Sequence, residues 1–160
     1  MSNDLLSGCL GTIDITHKKI HDSNMYICSM TGTNASNFQI TTPAGFYANF
    51  EAELATSAAS SGTFQEGAKV TGGSDATIYN LDRGSANTSG VTIKYGVTIS
   101  VAGTTIQNFI TGAGSKPSNI TGGSSSSRHE WILKPSTTYA IALTITGTWV
   151  LNIYFYKGGN

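Results

Sequence analysis

The chain has 160 residues, of which 39% are hydrophobic and 11% are charged, and nine basic and nine acidic side chains cancel to a formal net charge of zero. This length suits one domain whose core needs no disulfide or metal to stabilise it. The balance of charge argues against nucleic-acid binding, which needs a basic stripe, and no segment reaches the roughly 18 apolar residues of a membrane span.

The first residues are predicted to form an N-terminal arm, residues 1–12, ahead of a single domain at residues 13–160. The opening MSNDLLSGCL lacks the basic start and apolar run of a signal peptide, so we expect synthesis in a cytoplasm. Cys9 and Cys28 are then expected to be reduced thiols. Leu5 and Leu6 are candidates for contact with a neighbouring subunit, and an ordinary disordered terminus is the alternative.

His17 and His21 lie four residues apart, a spacing that would place two metal ligands on one face of a helix. The surrounding ITHKKIH shows no helical apolar stripe, however, and residues 13–16 are predicted as a short strand. Only His129 and Asp22 suggest themselves as a third ligand. The pattern therefore favours polar loop histidines, and we predict no metal site and no cofactor.

The rest of the chain is dominated by period-2 alternation of apolar and polar residues, which predicts strands with one buried face. Long strands are predicted at residues 46–54, 91–101, 139–145 and 151–155, and shorter ones at residues 25–30, 37–41, 63–66, 77–80, 105–110 and 131–133. Residues 52–59 (AELATSAA) are compatible with a helical turn. Roughly eight to ten short strands separated by turn residues predict an all-β, single-domain antiparallel β-sandwich that is jelly-roll-like.

Catalytic signatures are missing from the sequence. It contains no G-x-S-x-G elbow, P-loop or dinucleotide fingerprint. Glu51 and Glu53 share one face of a predicted strand, but paired catalytic carboxylates usually come from separate elements that line a cleft. We therefore assign the two glutamates to a solvated face or a subunit contact, predict no catalytic or cofactor-binding residue, and predict that the chain is not an enzyme.

Three tyrosines alternate with the apolar residues of their predicted strands and therefore lie on the opposite face: Tyr47, Tyr154 and Tyr156. A tyrosine on a strand surface can stack on a sugar or anchor a protein interface, because it offers a large area at low entropic cost. Packing within the chain and contact with a partner are both compatible with this pattern.

Several separated segments carry a resemblance to a known family. In chain order they are KIHDSNMYIC, FQITTPAGFYANFEAEL, QEGAKVTGGSDATIYNLDR, SANTSGVTI and SSRHEWILKPSTTYAIALT, with IYFY near the end. The most specific segment is the last long one, in which Glu130, an apolar trio, Lys134, a turn and Tyr139 precede an alternating strand. Together the segments resemble the small head decoration or cement proteins of tailed bacteriophages.

This resemblance implies a structural virion protein that stabilises a capsid by binding the lattice of the major capsid protein. It implies a location on the outer surface of the capsid, after synthesis in the cytoplasm of the host bacterium, and a homo-oligomer for which we prefer a trimer and then a dimer. No nucleic-acid or membrane partner is expected. The alternative is a tail, baseplate or fibre-tip module that binds a host surface glycan through Tyr47, Tyr154 or Tyr156.

Overall fold

The computed structural model describes residues 15–112, 114–119 and 130–158. The predicted N-terminal arm, with Leu5 and Leu6, lies outside these residues. The described residues form one helix and twelve strands. In chain order these are α1 (Ile15–His21), β1 (Met25–Thr33), β2 (Ser36–Thr41), β3 (Tyr47–Thr56), β4 (Ser60–Glu66), β5 (Lys69–Asp75), β6 (Tyr79–Asn80), β7 (Thr92–Val101), β8 (Thr104–Thr111), β9 (Gly114–Asn119), β10 (Trp131–Leu133), β11 (Thr138–Ile145) and β12 (Thr148–Gly158).

The strands form two antiparallel sheets of six strands each, which confirms the predicted all-β sandwich. Sheet A has the order β10-β3-β12-β1-β6, with β9 also paired to β3, and sheet B has the order β5-β7-β2-β11-β4-β8. The pairing is nested along the chain: β1 pairs with β12, β2 with β11, β3 with β9 and β10, and β4 with β8. Strands β5, β6 and β7 lie between β4 and β8 in the chain and extend the sheets at the other edge. Strand β6 lies beside β1 in sheet A, and β7 followed by β5 lies beside β2 in sheet B.

The core lies between the two sheets and is built from alternate residues of the central strands. Its members include Tyr26, Cys28, Phe38, Ile40, Phe50, Leu54, Phe64, Ile141, Leu143, Leu151, Ile153 and Phe155. Aromatic rings from opposite sheets meet directly, with the ring centroids of Phe50 and Phe64 5.4 Å apart and those of Phe38 and Trp149 5.1 Å apart. One continuous core of this kind is the expected result of strands that each bury one face.

The last two strands, which lie in different sheets, follow their predicted alternation closely. Tyr139, Ile141, Leu143 and Ile145 of β11 are buried, as are Leu151, Ile153 and Phe155 of β12. Residues 131–133 form β10 as predicted, and this short strand pairs with β3 at one edge of sheet A. The indole nitrogen of Trp131 donates a hydrogen bond to the Gln107 side chain of β8 at 3.0 Å, which ties this edge to sheet B.

The N-terminal region differs from its prediction. Residues 15–21 form a helix, so the predicted strand at residues 13–16 is wrong for its described part, and so is the loop interpretation of His17 and His21. A seven-residue helix without an apolar stripe is marginal in isolation, and its sequence gives little signal. Contacts with the rest of the protein stabilise it, including a hydrogen bond from the Lys19 ammonium to the Lys157 carbonyl at 3.2 Å.

The number of strands was also underestimated, because β5 and β9 lack an alternating pattern. Strand β5 contains Gly72 and Gly73, both with positive φ, and nearly all of its residues are exposed. Strand β9 contains Pro117, which cannot donate a hydrogen bond to a ladder and suits an edge. The helical turn considered for residues 52–59 does not form, since β3 continues to Thr56.

Candidate functional site

The outward face of sheet A collects the polar residues of β3 and β12 in register. Glu51 lies opposite Tyr154, Asn49 opposite Tyr156, and Glu53 opposite Asn152. On the other side of β12, strand β1 places Ile27 opposite Tyr154 and Met25 opposite Tyr156. Because side chains alternate along a strand, these residues point away from the core while Phe50, Ala52 and Ile153 point into it.

This face carries a shallow concavity that we call the outer-face groove, with a volume of about 210 Å³. It is lined by Met25, Asn49, Glu51, Glu53, Glu130, Tyr154 and Tyr156. The lining combines two aromatic rings, one methionine, an amide and three carboxylates, so it offers both apolar and acidic contact groups. The groove is open and lies on regular strands, so its shape is fixed by the sheet.

Tyr156 is held at one end of the outer-face groove. Its hydroxyl donates to the Glu130 carboxylate, with oxygen–oxygen distances of 2.9 and 3.0 Å. The Lys19 ammonium of α1 lies 5.5 Å from the centroid of the Tyr156 ring, a cation–π distance. Glu130 is the residue before β10, so the pairing of Trp131 with Phe50 of β3 places its carboxylate beside the sheet.

Tyr154 lies in the middle of the outer-face groove and is half-buried. Partial burial raises the pKa of its phenol above the usual 10.0, and the negative charges of Glu53 and Glu51 raise the pKa further. The phenol is therefore neutral at physiological pH and keeps its proton for donation. A partner that docks on this face meets a hydrogen-bond donor surrounded by acceptors.

The structure brings together five of the seven residues predicted as partner contacts. Glu51, Glu53, Tyr154 and Tyr156 line the outer-face groove, and Tyr47 lies at the end of the same outward row, opposite Gly158. Leu5 and Leu6 lie outside the described residues. Sequence reasoning missed Met25, Asn49 and Glu130. Asn49 lies two residues before Glu51, so the alternation of the strand could have placed it on the same face. Glu130 reaches the site only through the pairing of β10 with β3.

A second concavity, which we call the edge groove, lies where β1 and β6 approach β5 and β7, and it encloses about 330 Å³. Its lining residues are Ser29, Met30, Thr31, Asp75, Ala76, Thr77, Tyr79 and Tyr95. Tyr79 and Tyr95 are 48% and 43% exposed. The alternation of β7 predicted a buried Tyr95, but β6 is only two residues long and sheet A does not extend over this ring.

Groups with nucleophilic or metal-binding potential are sparse in the described part of the chain. Burial raises the pKa of the Cys28 thiol to about 11, so this cysteine is a core residue and not a thiolate. Residues 15–112, 114–119 and 130–158 contain no cluster of three or more His, Cys, Asp or Glu side chains arranged to hold a metal ion. No helix in these ranges is long and apolar enough to span a membrane.

Comparison with known proteins leaves the chain without a match. No protein-family model, no curated protein and no solved structure matches it.

Proposed function

We propose that this chain is a structural virion protein that decorates a bacteriophage capsid and stabilises it by binding the lattice of the major capsid protein. The proposal starts from the resemblance of several sequence segments to head decoration proteins. It is supported by the two-sheet architecture, which presents regular outward strand faces. The role is adhesion, and no bond is made or broken.

One observation carries the proposal: five residues predicted as partner contacts occupy a single outward face. Tyrosines supply contact area at low entropic cost, and the carboxylates of Glu51 and Glu53 select against a strongly acidic partner surface. Since the subunits of the proposed homo-oligomer are linked and can bind neighbouring sites of the shell together, modest contacts by each subunit add up to firm retention. The outer-face groove is thus the proposed capsid-contacting surface.

We further infer that the sandwich is a jelly roll. The nested pairing described above is the pattern that results when one long antiparallel ribbon wraps around itself. In this interpretation β5, β6 and β7 form an insertion between the two strands of the innermost pair, β4 and β8. The insertion carries the edge groove and leaves the outer-face groove unchanged.

The proposed assembly is a homo-oligomer on the outer surface of the capsid, made beforehand in the cytoplasm of the host bacterium. A trimer at a threefold position of the shell is preferred and a dimer at a twofold position is second, because the lattice imposes closed symmetry. Light scattering of the free protein measures this directly. A monomeric mass at micromolar concentration would show that the shell, and not the free chain, sets the oligomeric state.

The function is tested by sedimentation with phage heads. The purified protein is mixed with expanded heads that lack decoration and, separately, with unassembled major capsid protein. We expect co-sedimentation with the heads and no complex with the unassembled subunit, because the proposed surface matches a repeating lattice. Failure to bind expanded heads at any protein excess would refute the proposal.

The alternative, a phage tail or fibre-tip module that binds a host surface glycan, is favoured by the edge groove. Two exposed tyrosines beside hydroxyl side chains and Asp75 match the stacking and hydrogen-bonding needs of a sugar. Glycan-array binding that is lost in Tyr79→Ala and Tyr95→Ala would support this function. Binding lost instead in Tyr154→Ala would assign the same function to the outer-face groove.

A further inference from the structure

The two histidines of α1 form a close pair on the exposed side of the helix. Their Nε2 atoms form a hydrogen bond at 3.1 Å, in which one nitrogen donates and the other accepts, and their ring centroids are 4.5 Å apart with an interplanar angle of 75°. The spacing of four residues places both rings on one helical face, one turn apart. Both residues are exposed to solvent.

The end of α1 is fixed to the rest of the protein, which orients this pair before any ligand binds. Ser23 follows the helix in a left-handed conformation with φ 55°, and its carbonyl accepts a hydrogen bond from the Asn80 side chain at 2.9 Å. The Ser23 hydroxyl donates to the Asp82 carboxylate at 2.5 Å. Together with the hydrogen bond from Lys19 to the Lys157 carbonyl, these contacts attach both faces of the last turn to the sandwich.

The separation of the two nitrogens fits a chelated metal ion. An ion at the usual distance of about 2.0–2.1 Å from each imidazole nitrogen would make an angle of roughly 100° between them, close to the tetrahedral arrangement that zinc adopts. Imidazole nitrogen is a ligand suited to zinc, copper and nickel. The nearby carboxylates already have partners, since Asp22 forms an ion pair with Lys18 and Asp82 accepts a hydrogen bond from Ser23.

We propose that His17 and His21 form a bidentate binding site for a divalent transition-metal ion of the zinc class, with water in the remaining coordination positions. The described ranges offer no third protein ligand, so binding is reversible and weaker than in closed structural zinc sites. The site is independent of the outer-face groove and of the proposed capsid role. Its loss leaves the fold intact, because both side chains are exposed.

Isothermal titration of zinc chloride into the full chain tests this proposal. The protein is stripped with a chelator, transferred to a non-coordinating buffer and carries Cys9→Ser, so that this thiol cannot compete for the ion. We expect saturable binding of one ion per chain. Losing even a supporting residue of a metal site weakens affinity about 10–100-fold, so His17→Gln and His21→Gln should each weaken it by at least about tenfold.

Two control variants keep both histidines. Lys69→Gln changes an exposed lysine on β5, and His129→Gln removes the remaining histidine of the chain. We expect both to bind zinc as tightly as the parent protein, and circular dichroism should show all four variants to be folded. Unchanged affinity in His17→Gln or His21→Gln, no saturable binding by the parent protein, or an equal loss in His129→Gln would each overturn the assignment.

Discussion

At the scale of single residues, the buried indole of Trp149 packs directly against the backbone of β1. Its ring nitrogen donates to the Asn34 carbonyl at 2.9 Å, and the ring leaves no room for a side chain at Gly32. A Cβ built at Gly32 would lie 2.9 Å from Cε2 and 3.0 Å from Cη2 of Trp149. This glycine is required by close approach and not by its backbone conformation, since its φ is not in the left-handed region.

Gly32→Ala is therefore expected to destabilise the protein by about 1–3 kcal/mol, the usual effect of forcing an extra carbon into a filled core. Chemical denaturation followed by tryptophan fluorescence measures the change. Gly112→Ala is the matched control, because a Cβ at Gly112 meets nothing within 4 Å. Equal stabilities for the two variants would show that the Trp149 ring moves aside without cost.

A second residue-scale feature is the contact between Glu66, Lys134 and Tyr139. The Lys134 ammonium donates to the Glu66 carboxylate at 2.7 Å, and the Tyr139 hydroxyl donates to its second oxygen at 3.1 Å. The hydrogen bond from Lys134 lowers the pKa of the Glu66 carboxyl below the usual 4.5, against a smaller opposing effect of burial. The contact joins the end of β10 in sheet A to β4 and β11 in sheet B.

Because folding lowers the pKa of Glu66, its contribution to stability is present above pH 4.5 and is lost as the pH falls through the lower value of the folded state. Glu66→Gln should reduce stability at pH 7 by no more than about 1 kcal/mol, as expected for a partly exposed ion pair. The difference from the parent protein should shrink below pH 4.5.

Thermal unfolding at several pH values measures this effect for Glu66→Gln, Lys134→Met and the double variant. The losses of stability in the two single variants should not add up in the double variant, because each single change already removes the same ion pair. Additive losses, or a difference that grows on acidification, would contradict the assignment of this pKa shift to Lys134.

At the scale of elements, β12 is the central support of sheet A. It pairs with β3 along one side and with β1 along the other. Its inward residues belong to the core, and two of its outward residues, Tyr154 and Tyr156, line the outer-face groove, so one strand serves both stability and the proposed function. The alternation along β12 separates these two roles residue by residue.

Leu151→Ala and Val150→Ala test this separation on adjacent residues of β12. Leu151 is 0% exposed and Val150 is 40% exposed. We expect Leu151→Ala to lower the free energy of unfolding by about 2–5 kcal/mol, since it opens a cavity in the core. Val150→Ala should change it by less than about 0.5 kcal/mol, as surface substitutions do. A large loss of stability in Val150→Ala would indicate that the outward face of β12 packs against another layer of the protein.

The elements that sequence predicted well are those with two chemically different faces. Alternation in β11 and β12 follows directly from burial of one face, so their strands and parities could be read from the sequence. The helix α1, the glycine-rich β5 and the proline-containing β9 gave no such pattern, because tertiary contacts or edge positions determine them. In the candidate site, Tyr154 and Glu51 were predictable from parity. Glu130 was not, because only long-range pairing brings it there.

At the scale of the whole molecule, the three candidate binding surfaces lie on different parts of the fold. The outer-face groove lies on regular strands of sheet A, the edge groove lies on the inserted strands, and the histidine pair lies on α1. A chain with low charge and rigid outward faces suits repeated attachment to a lattice, where each contact needs only modest affinity. The central claim is that the outer-face groove is the adhesive surface.

The most direct test of this claim is co-sedimentation of folded variants with expanded, undecorated phage heads. A variant carrying Tyr154→Ala and Glu53→Lys changes the outer-face groove, and Tyr95→Ala changes an exposed tyrosine in the edge groove. The account predicts that the first variant stays in the supernatant while Tyr95→Ala sediments with the heads like the parent protein. Retention of the first variant on the heads together with loss of Tyr95→Ala would contradict it.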